Sequence, residues 1–469
     1  MSRGNELIKN TSILLLAKIS TQIINFLLIP LYTAALTTQE YGRVDIYTTL
    51  AMILVPILTL QIEMALFRYY IVNNNEKDRK EIISSSYAVV GMVYIIVSII
   101  YWIFTTFFKI QYRSLLYFYY SSLMMSTVLL QTCRAKGDNI AYGFASFMGA
   151  AISIMLNIFF VKFFSWKIGG ILFSMIISQL MESIYLINRT KVYSFIEKSS
   201  IKKERAKELL KYSIPLVFNQ LASWTINYSD RLIILYKWGE GYNGIYAIAN
   251  KFANILNTFF NVYNVAWTEN VVKNMKYEDS HKYISKIFEL TFNIYIVLIT
   301  IILNLLPFLF DIFVNANFKE AYQQIPILLI SMLFSGMAAT IGSVFIAYNR
   351  TKEVSITTIL SGVINILIHI ILLNKFKLYA ASISTLVSFS ILFIYRYFSV
   401  RKFLKLEFNI KRIILQLFIL NIAWIAYAIK NVYLISITFI MNLCVIIYII
   451  YINKQMIYYN FISKLKNRE

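Results

Sequence analysis

The sequence predicts an all-α polytopic membrane protein of about 14 transmembrane helices. We expect two six-helix bundles related by a parallel repeat, plus two C-terminal helices. Three observations carry that expectation. Of 469 residues, 59% are hydrophobic and only 14% charged, whereas a soluble domain carries about 25% charged residues. Apolar runs of about 20 residues, the length that crosses a bilayer core, recur along the whole chain. The start of the second half also echoes the start of the first at a constant offset of 202 residues.

The spans are expected at 11–33, 46–67, 83–108, 114–132, 141–161, 168–188, 212–236, 244–266, 285–310, 322–347, 354–373, 378–398, 411–429 and 433–452. A transmembrane barrel needs alternating polarity, and runs such as Ile95 to Ile103 or Ile413 to Ile422 do not alternate. The N-terminus loosely mimics a signal peptide. Lys18, Gln22 and Asn25 interrupt its apolar run, so a retained first helix is expected. Cys133 and Cys444 are the only cysteines, which excludes a disulfide framework. With only His281 and His369 and no Cys/His cluster, no metal site or cofactor is expected.

The chain carries 45 Lys and Arg against 23 Asp and Glu, a formal net charge of +22. With the N-terminus inside, 32 basic residues fall on the cytoplasmic side, counting those in the flanking turns of the spans, and 10 on the outer side. That asymmetry follows the positive-inside rule and places both termini in the cytoplasm. The basic excess therefore reads as topology and contact with headgroups, not as nucleic-acid binding. The division is 1–188 for an N-terminal lobe, 189–211 for a basic cytoplasmic linker, 212–398 for a C-terminal lobe, and 399–469 for two further helices and a tail. The linker, containing Lys202-Lys203-Glu204-Arg205, reads as an amphipathic segment touching anionic headgroups; a docking site for another protein is the alternative.

In the repeat, Glu6-Leu7-Ile8-Lys9 matches Glu208-Leu209-Leu210-Lys211. Ile24-Asn25 matches Ile226-Asn227, Gly42 matches Gly244, and Ala51 and Leu54 match Ala253 and Leu256. Six spans separate the copies. An even number keeps their orientation, which makes the repeat parallel.

Polar residues in the spans mark a candidate cavity. Asn250, Asn254, Asn257, Asn261 and Asn264 lie on one face of the eighth span. Lipid cannot satisfy five amides, so this face must meet water or another helix. The first span carries Lys18, Thr21, Gln22 and Asn25. The second carries Asp45, Thr48, Thr49, Met52, Pro56, Thr59 and Glu63, and the seventh Asn219, Ser223, Asn227 and Asp230. Spans 3, 13 and 14 are nearly all apolar and are expected to face lipid. Charges inside a bilayer cost about 2.5–3.5 kcal/mol each on insertion scales, which makes them functional candidates. Lys18 and Lys251 are candidates for holding an anionic headgroup, with Arg231 and Arg68 assisting. The competing reading has Lys18 and Lys251 snorkelling or pairing with Glu63 and Asp230. Glu63 and Asp230 are the candidates for H⁺ or Na⁺ coupling. Glu182 and Glu289 read as interfacial or structural, and His369 as a satisfied core residue.

Lys9-Asn10-Thr11 through Leu28-Ile29-Pro30-Leu31-Tyr32-Thr33, followed by Glu40-Tyr41-Gly42, resembles the opening of bacterial polysaccharide exporters. Arg134-Ala135-Lys136-Gly137, Asp230-Arg231-Leu232-Ile233 and Gly244 through Lys251 support the resemblance. These Wzx-like lipid-linked oligosaccharide flippases belong to the multidrug/oligosaccharidyl-lipid/polysaccharide exporter superfamily. The resemblance implies that an undecaprenyl-pyrophosphate-linked oligosaccharide repeat unit is inverted from the inner to the outer leaflet of the bacterial cytoplasmic membrane. The pathway would be capsule, O-antigen or another surface polysaccharide. It implies alternating access by two lobes around a cationic cavity, no enzymatic step, a monomer, and a polysaccharide polymerase complex as partner. A cation-coupled multidrug antiporter and a lipid II flippase are the rivals within the superfamily. A membrane-embedded glycan polymerase or ligase is a rival of another class; its usual large outer loop has no counterpart among the short loops expected here.

Overall fold

Every regular element among the described residues is helical. The structure is a computed structural model and describes Gln22 and residues 26–275, 277–278, 280–404, 406 and 409–452. Most of the expected first span therefore lies outside the described residues. Its end appears as α1 (Ile29–Ala35), which starts with Pro30 in its first turn, where a missing N–H costs nothing.

The expected second span, 46–67, is not one helix. It is divided between α2 (Thr38–Leu58) and α3 (Ile62–Val72). Leu60 and Gln61 between them adopt φ of 50° and 54°, a left-handed conformation that ends a helix and is costly for residues with side chains. Pro56 lies in the last turn of α2. The start of α2 is held by a capping box. The Thr37 hydroxyl accepts from the Glu40 N–H at 3.2 Å, and the Glu40 carboxylate accepts from the Thr37 N–H at 2.9 Å.

The later expected spans each overlap a helix. These are α4 (Glu76–Phe107), α5 (Arg113–Ala135), α6 (Asn139–Asn157), α7 (Lys167–Thr190), α8 (Lys203–Trp238) and α9 (Glu240–Asn274). They continue as α10 (Ser280–Phe313), α11 (Ala321–Ala347), α12 (Thr351–Phe376), α13 (Leu378–Val400), α14 (Ile410–Ile429) and α15 (Val432–Ile452). A π-helical turn, Ile158–Phe163, extends α6. Asn75 caps α4 by accepting from the Lys77 N–H, and Asp138 caps α6 by accepting from the Ala141 N–H.

Among the described residues, nine helices are long and apolar enough to cross a membrane: α2, α4, α6 with its π turn, α7, and α10 to α14. The protein is thus a multi-pass membrane protein. The short α3 and the long α5, α8 and α9 are absent from that set. In α5, α8 and α9 the reason is polarity, since Ser, Thr, Asn and Gln interrupt their apolar windows.

The chain divides into two compact units, Met1–Ile248 and Ala249–Glu469. The division falls inside α9, not in the linker at 189–211. It assigns α8 and the first turns of α9 to the first unit, because α8 packs on α2, α3 and α4. The rest of the first unit is built from α5 against α7, α6 against α7, and α3 against α5. Ile62, Ala65, Leu66, Ile82, Ile83, Leu129 and Cys133 form its apolar core. α4 turns Ile95, Ile96, Ile99, Ile100 and Ile103 outward, the face expected for lipid.

In the second unit, α13 packs against α11 and α12 through small residues. Ala380, Ala381, Ser382, Ser384, Thr385 and Ser388 are buried on α13, and Ser382 donates to Gln324 of α11. In lipid, where apolar surface gains nothing by leaving the solvent, close backbone approach through small residues is what holds helices together. α14 and α15 attach to α10 around Val297, Ile419 and Val445. Their other faces expose Ile414, Phe418, Ile440 and Ile447.

Candidate functional site

Three helices of the first unit enclose a cavity of about 540 Å³. Thr48, Met52 and Pro56 line it from α2, and Tyr119, Leu123 and Thr127 from α5. Both sets advance by four residues, one helix face each. Gln220, Ser223, Trp224 and Asn227 close it from α8. Among the described residues its lining has no Lys, Arg, His, Asp or Glu. The volume lies within the usual range for small-molecule sites.

The polar groups of this wall are already partly engaged. The Thr48 hydroxyl donates to the carbonyls of Val44 and Asp45 at 3.1 and 3.0 Å. Thr127 donates to the Leu123 carbonyl at 2.7 Å. Trp224 Nε1 donates across the helices to the Thr49 carbonyl at 2.9 Å, which fixes the indole against α2. Asn227 donates to the Ser223 carbonyl at 2.7 Å.

Beyond one end of the cavity, α2 meets the α8–α9 junction in a polar clasp. Gly42 and Gly244, paired by the expected 202-residue offset, lie backbone against backbone. A Cβ on Gly42 would sit 1.9 Å from the Glu240 carbonyl oxygen, and one on Gly244 would sit 2.1 Å from the Thr38 carbonyl oxygen. Arg43 donates two hydrogen bonds to the Glu240 carboxylate, at 2.7 and 2.6 Å, and one to Gln111. The buried Arg231 pairs with Asp45 at 2.8 Å. Asn243 Nδ2 donates to the Gly42 carbonyl at 3.0 Å and to Asp45 at 3.3 Å. Tyr246 donates to Asp230 at 3.2 Å. The Arg231 guanidinium also lies over the Tyr228 ring, 5.0 Å from its centroid.

The sequence-derived site residues are distributed as follows. Lys18 and Asn25 lie outside the described residues; Gln22 is helical and half-buried. Arg231 and Asp230 belong to the clasp. Arg68 is exposed and stacks on Tyr212 at 4.6 Å. Glu63 is buried in the first turn of α3, with Oε2 lacking a hydrogen-bond partner among the described residues. In the second unit, Asn250, Lys251, Asn254 and Asn257 are half-buried and Asn261 is exposed. Asn261 Nδ2 lies 3.4 Å from Asn257 Oδ1. Asn264 accepts from Ser343 of α11 at 3.1 Å, so that end of the stripe is interhelical contact. Glu182 accepts from Ser126 at 2.6 Å, and Glu289 pairs with Arg412 at 2.6 Å; both tie helices together.

Several participants were not singled out by the sequence. Tyr119, Thr127, Gln220 and Trp224 join the cavity, and Arg43, Glu240 and Asn243 the clasp. The coincidence of Gly42 and Gly244 in the repeat was the signal available for the clasp. Arg396, placed by sequence beside the inner boundary of a span, is buried. It donates to Thr357 at 3.0 Å, the Ala338 carbonyl at 2.9 Å, the Val354 carbonyl at 2.9 Å and Thr358 at 2.8 Å. That guanidinium clamps α11, α12 and α13 together.

Residues 7–268 match the model of a family described as polysaccharide biosynthesis protein. An uncharacterized membrane protein of Haemophilus influenzae is 22% identical over 372 residues, covering 76% of this chain and 88% of that one. The lipid II flippase MurJ in an inward closed conformation superimposes with a TM-score of 0.71 at 14% identity, covering 96% of this chain and 100% of that one. An inward-facing multidrug resistance MATE family transporter of the MOP superfamily gives a TM-score of 0.66 at 14% identity, covering 83% of this chain and 97% of that one. The fold is therefore that of these transporters.

Proposed function

The chain belongs to the polysaccharide biosynthesis protein family, and from that membership we propose that it is a flippase for a polyprenyl-diphosphate-linked oligosaccharide repeat unit. It carries the unit from the inner to the outer leaflet of the bacterial cytoplasmic membrane, for capsule, O-antigen or another surface polysaccharide. The supporting observation is the cavity framed by α2, α5 and α8, whose described lining sets hydroxyls and amides among apolar side chains and carries no charge. Sugar hydroxyls would lose their hydrogen bonds in hydrocarbon, and a wetted polar wall replaces them. The polyprenyl tail stays in lipid throughout.

The working cycle is alternating access, with fourteen crossings, a parallel repeat and both termini inside. The clasp of Gly42, Gly244, Arg43–Glu240 and Arg231–Asp45 is the outer gate that opens to release the substrate. Lys18 and Lys251 hold the diphosphate, assisted by Gln22, Asn25 and the amides of α9. Glu63, with an oxygen unpartnered among the described residues, is the candidate for H⁺ or Na⁺ coupling, ahead of Asp230, which Tyr246 already contacts. The protein works as a monomer beside a polysaccharide polymerase. A site for cationic drugs calls for a carboxylate facing the cavity, and none lines it among the described residues, which favours the glycan reading over an antiporter.

Deletion of the gene, with lipid extraction and leaflet analysis, tests the function. Lipid-linked repeat units should accumulate in the inner leaflet, and Lys18→Ala and Lys251→Ala should each reduce surface glycan with normal membrane insertion. Altered drug resistance with normal glycan sinks the flippase reading. Wild-type export by both single mutants and the double mutant removes the two lysines from it.

A further inference from the structure

In the second unit, a cavity of about 520 Å³ lies where α10 and α14 end and α11 and α13 begin. We propose that it holds the headgroup of a zwitterionic aminophospholipid, with the phosphate towards Lys319 and Lys430, the ammonium towards Asp311, and an acyl chain along α14. One wall is braced from within. The Tyr322 and Tyr427 rings stack with centroids 4.1 Å apart, and each hydroxyl donates to the other residue's carbonyl, at 3.0 and 2.6 Å. Both hydroxyl hydrogens are thereby spent. Tyr379 donates to Gln323 Oε1, which leaves the two amide N–H groups of Gln323 as donors.

Charges of both signs line the cavity and are incompletely used. Lys430 lies 3.7 Å from Asp311, beyond the about 2.7–2.9 Å of a charge-assisted hydrogen bond, and 4.8 Å from the centroid of the Tyr322 ring. Among the described residues, Lys319, the Gln323 amide nitrogen and the Trp424 indole nitrogen make no hydrogen bond. A phosphodiester brings acceptors, which those donors and Lys430 can serve. Among the described residues Asp311 is the only carboxylate in the lining. A glycerol hydroxyl would give it a hydrogen bond without a charge, and a choline a charge without a hydrogen bond; a primary ammonium supplies both. Glu320, next to Lys319 in the chain, balances two cations with two carboxylates, which suits a headgroup of no net charge. Pro326, Ile327 and Ile429 add an apolar wall. From Ile429 the exposed Ile425 and Phe418 continue along one face of α14, a path for an acyl chain that a free phosphate would not use. Tyr and Trp gathered at one end of a membrane bundle mark the headgroup level.

The full chain in detergent is titrated with phosphatidylethanolamine, phosphatidylcholine and phosphatidylglycerol of identical acyl chains, read by native mass spectrometry. Phosphatidylethanolamine should bind about five-fold tighter than either of the others. Lys319→Ala should weaken all three lipids about five-fold, through the phosphate. Asp311→Ala should weaken phosphatidylethanolamine alone and so abolish the preference. Size exclusion checks that each variant folds. Equal affinity for the three lipids in the parent protein, or affinities unmoved by both substitutions, overturns the assignment. Displacement of the lipid by an equal concentration of soluble O-phosphoethanolamine overturns the lipid as the source of the phosphate.

Discussion

Replacing Gly244 with alanine drives a wedge into the clasp. The new Cβ would lie 2.1 Å from the Thr38 carbonyl oxygen and 2.9 Å from the Gly42 nitrogen. Ordinary contact begins at 3.4 Å, so the two backbones must separate by about 1.3 Å, the difference between 3.4 and 2.1 Å. Both obstructing atoms belong to backbone, so no rotamer change relieves them. A separation of that size breaks the 3.0 Å bond from Asn243 to the Gly42 carbonyl and strains the one to Asp45. Each neutral bond is worth about 1 kcal/mol net, and disturbance of the buried Arg231–Asp45 pair adds more. The closed clasp should lose about 2–4 kcal/mol, a roughly 30- to 700-fold shift in its population.

A cysteine at Ser223, in the cavity lining, reports the change. It is labelled with a membrane-impermeant maleimide added to right-side-out vesicles and quantified by peptide mass, since the native Cys444 is also exposed. The labelling rate should rise at least about thirty-fold in Gly244→Ala, the lower bound of that shift. Gly91→Ala, where an added Cβ meets nothing within 4 Å, should leave it unchanged. Equal rates in the Gly244→Ala and parent proteins would refute the claim that this contact closes the cavity on the outside.

Three further outcomes are expected. Arg231→Ala and Asp45→Ala should each lower stability by about 3–5 kcal/mol, because each strands a buried charge; a double change to Met and Leu should cost less than either, read by thermal melting in detergent. Arg396→Ala should cost about 3 kcal/mol through the loss of four charge-assisted bonds, and Arg396→Lys should not restore the melting temperature, since an ammonium cannot span these acceptors on two other helices. Lys136, whose Nζ donates to the Thr190 carbonyl at 2.7 Å over the Phe195 ring, is pushed by burial down from 10.5 to about 8. Its unfolded form holds more protons between those values, so its burden on stability is full below pH 8 and disappears as pH rises to 10.5. Acylation of Lys136 followed by mass spectrometry should show a midpoint near pH 8; a midpoint near 10.5 would refute it.

Most helices were legible because their apolar runs are long, and the lipid-facing expectation for α4 agrees with its outward isoleucines. The break at Leu60–Gln61 was not legible. Pro56 alone permits either a kink or a helix end, and the left-handed pair of residues depends on what packs around it. The polar stripe of the second span located Thr48, Met52 and Pro56 correctly on one wall of the cavity. The opposite wall on α5 passed unnoticed, since Tyr119 and Thr127 sit in a helix where Ser, Thr and Tyr occur on every face.

What the sequence determined by itself is the membrane class and the helix inventory. Those depend on local quantities, the length and polarity of single segments, which the bilayer reads one span at a time. The 202-residue offset paired Gly42 with Gly244 only as an expectation. Only the tertiary structure decided that the two glycines touch, that Arg231 is neutralised by Asp45, and that Arg396 is buried rather than interfacial. Each of these depends on which helices are neighbours. A charged residue in a span has the same cost in sequence whether it meets a carboxylate, a ring or a row of carbonyls, and its role follows from which of them packing brings within about 3 Å.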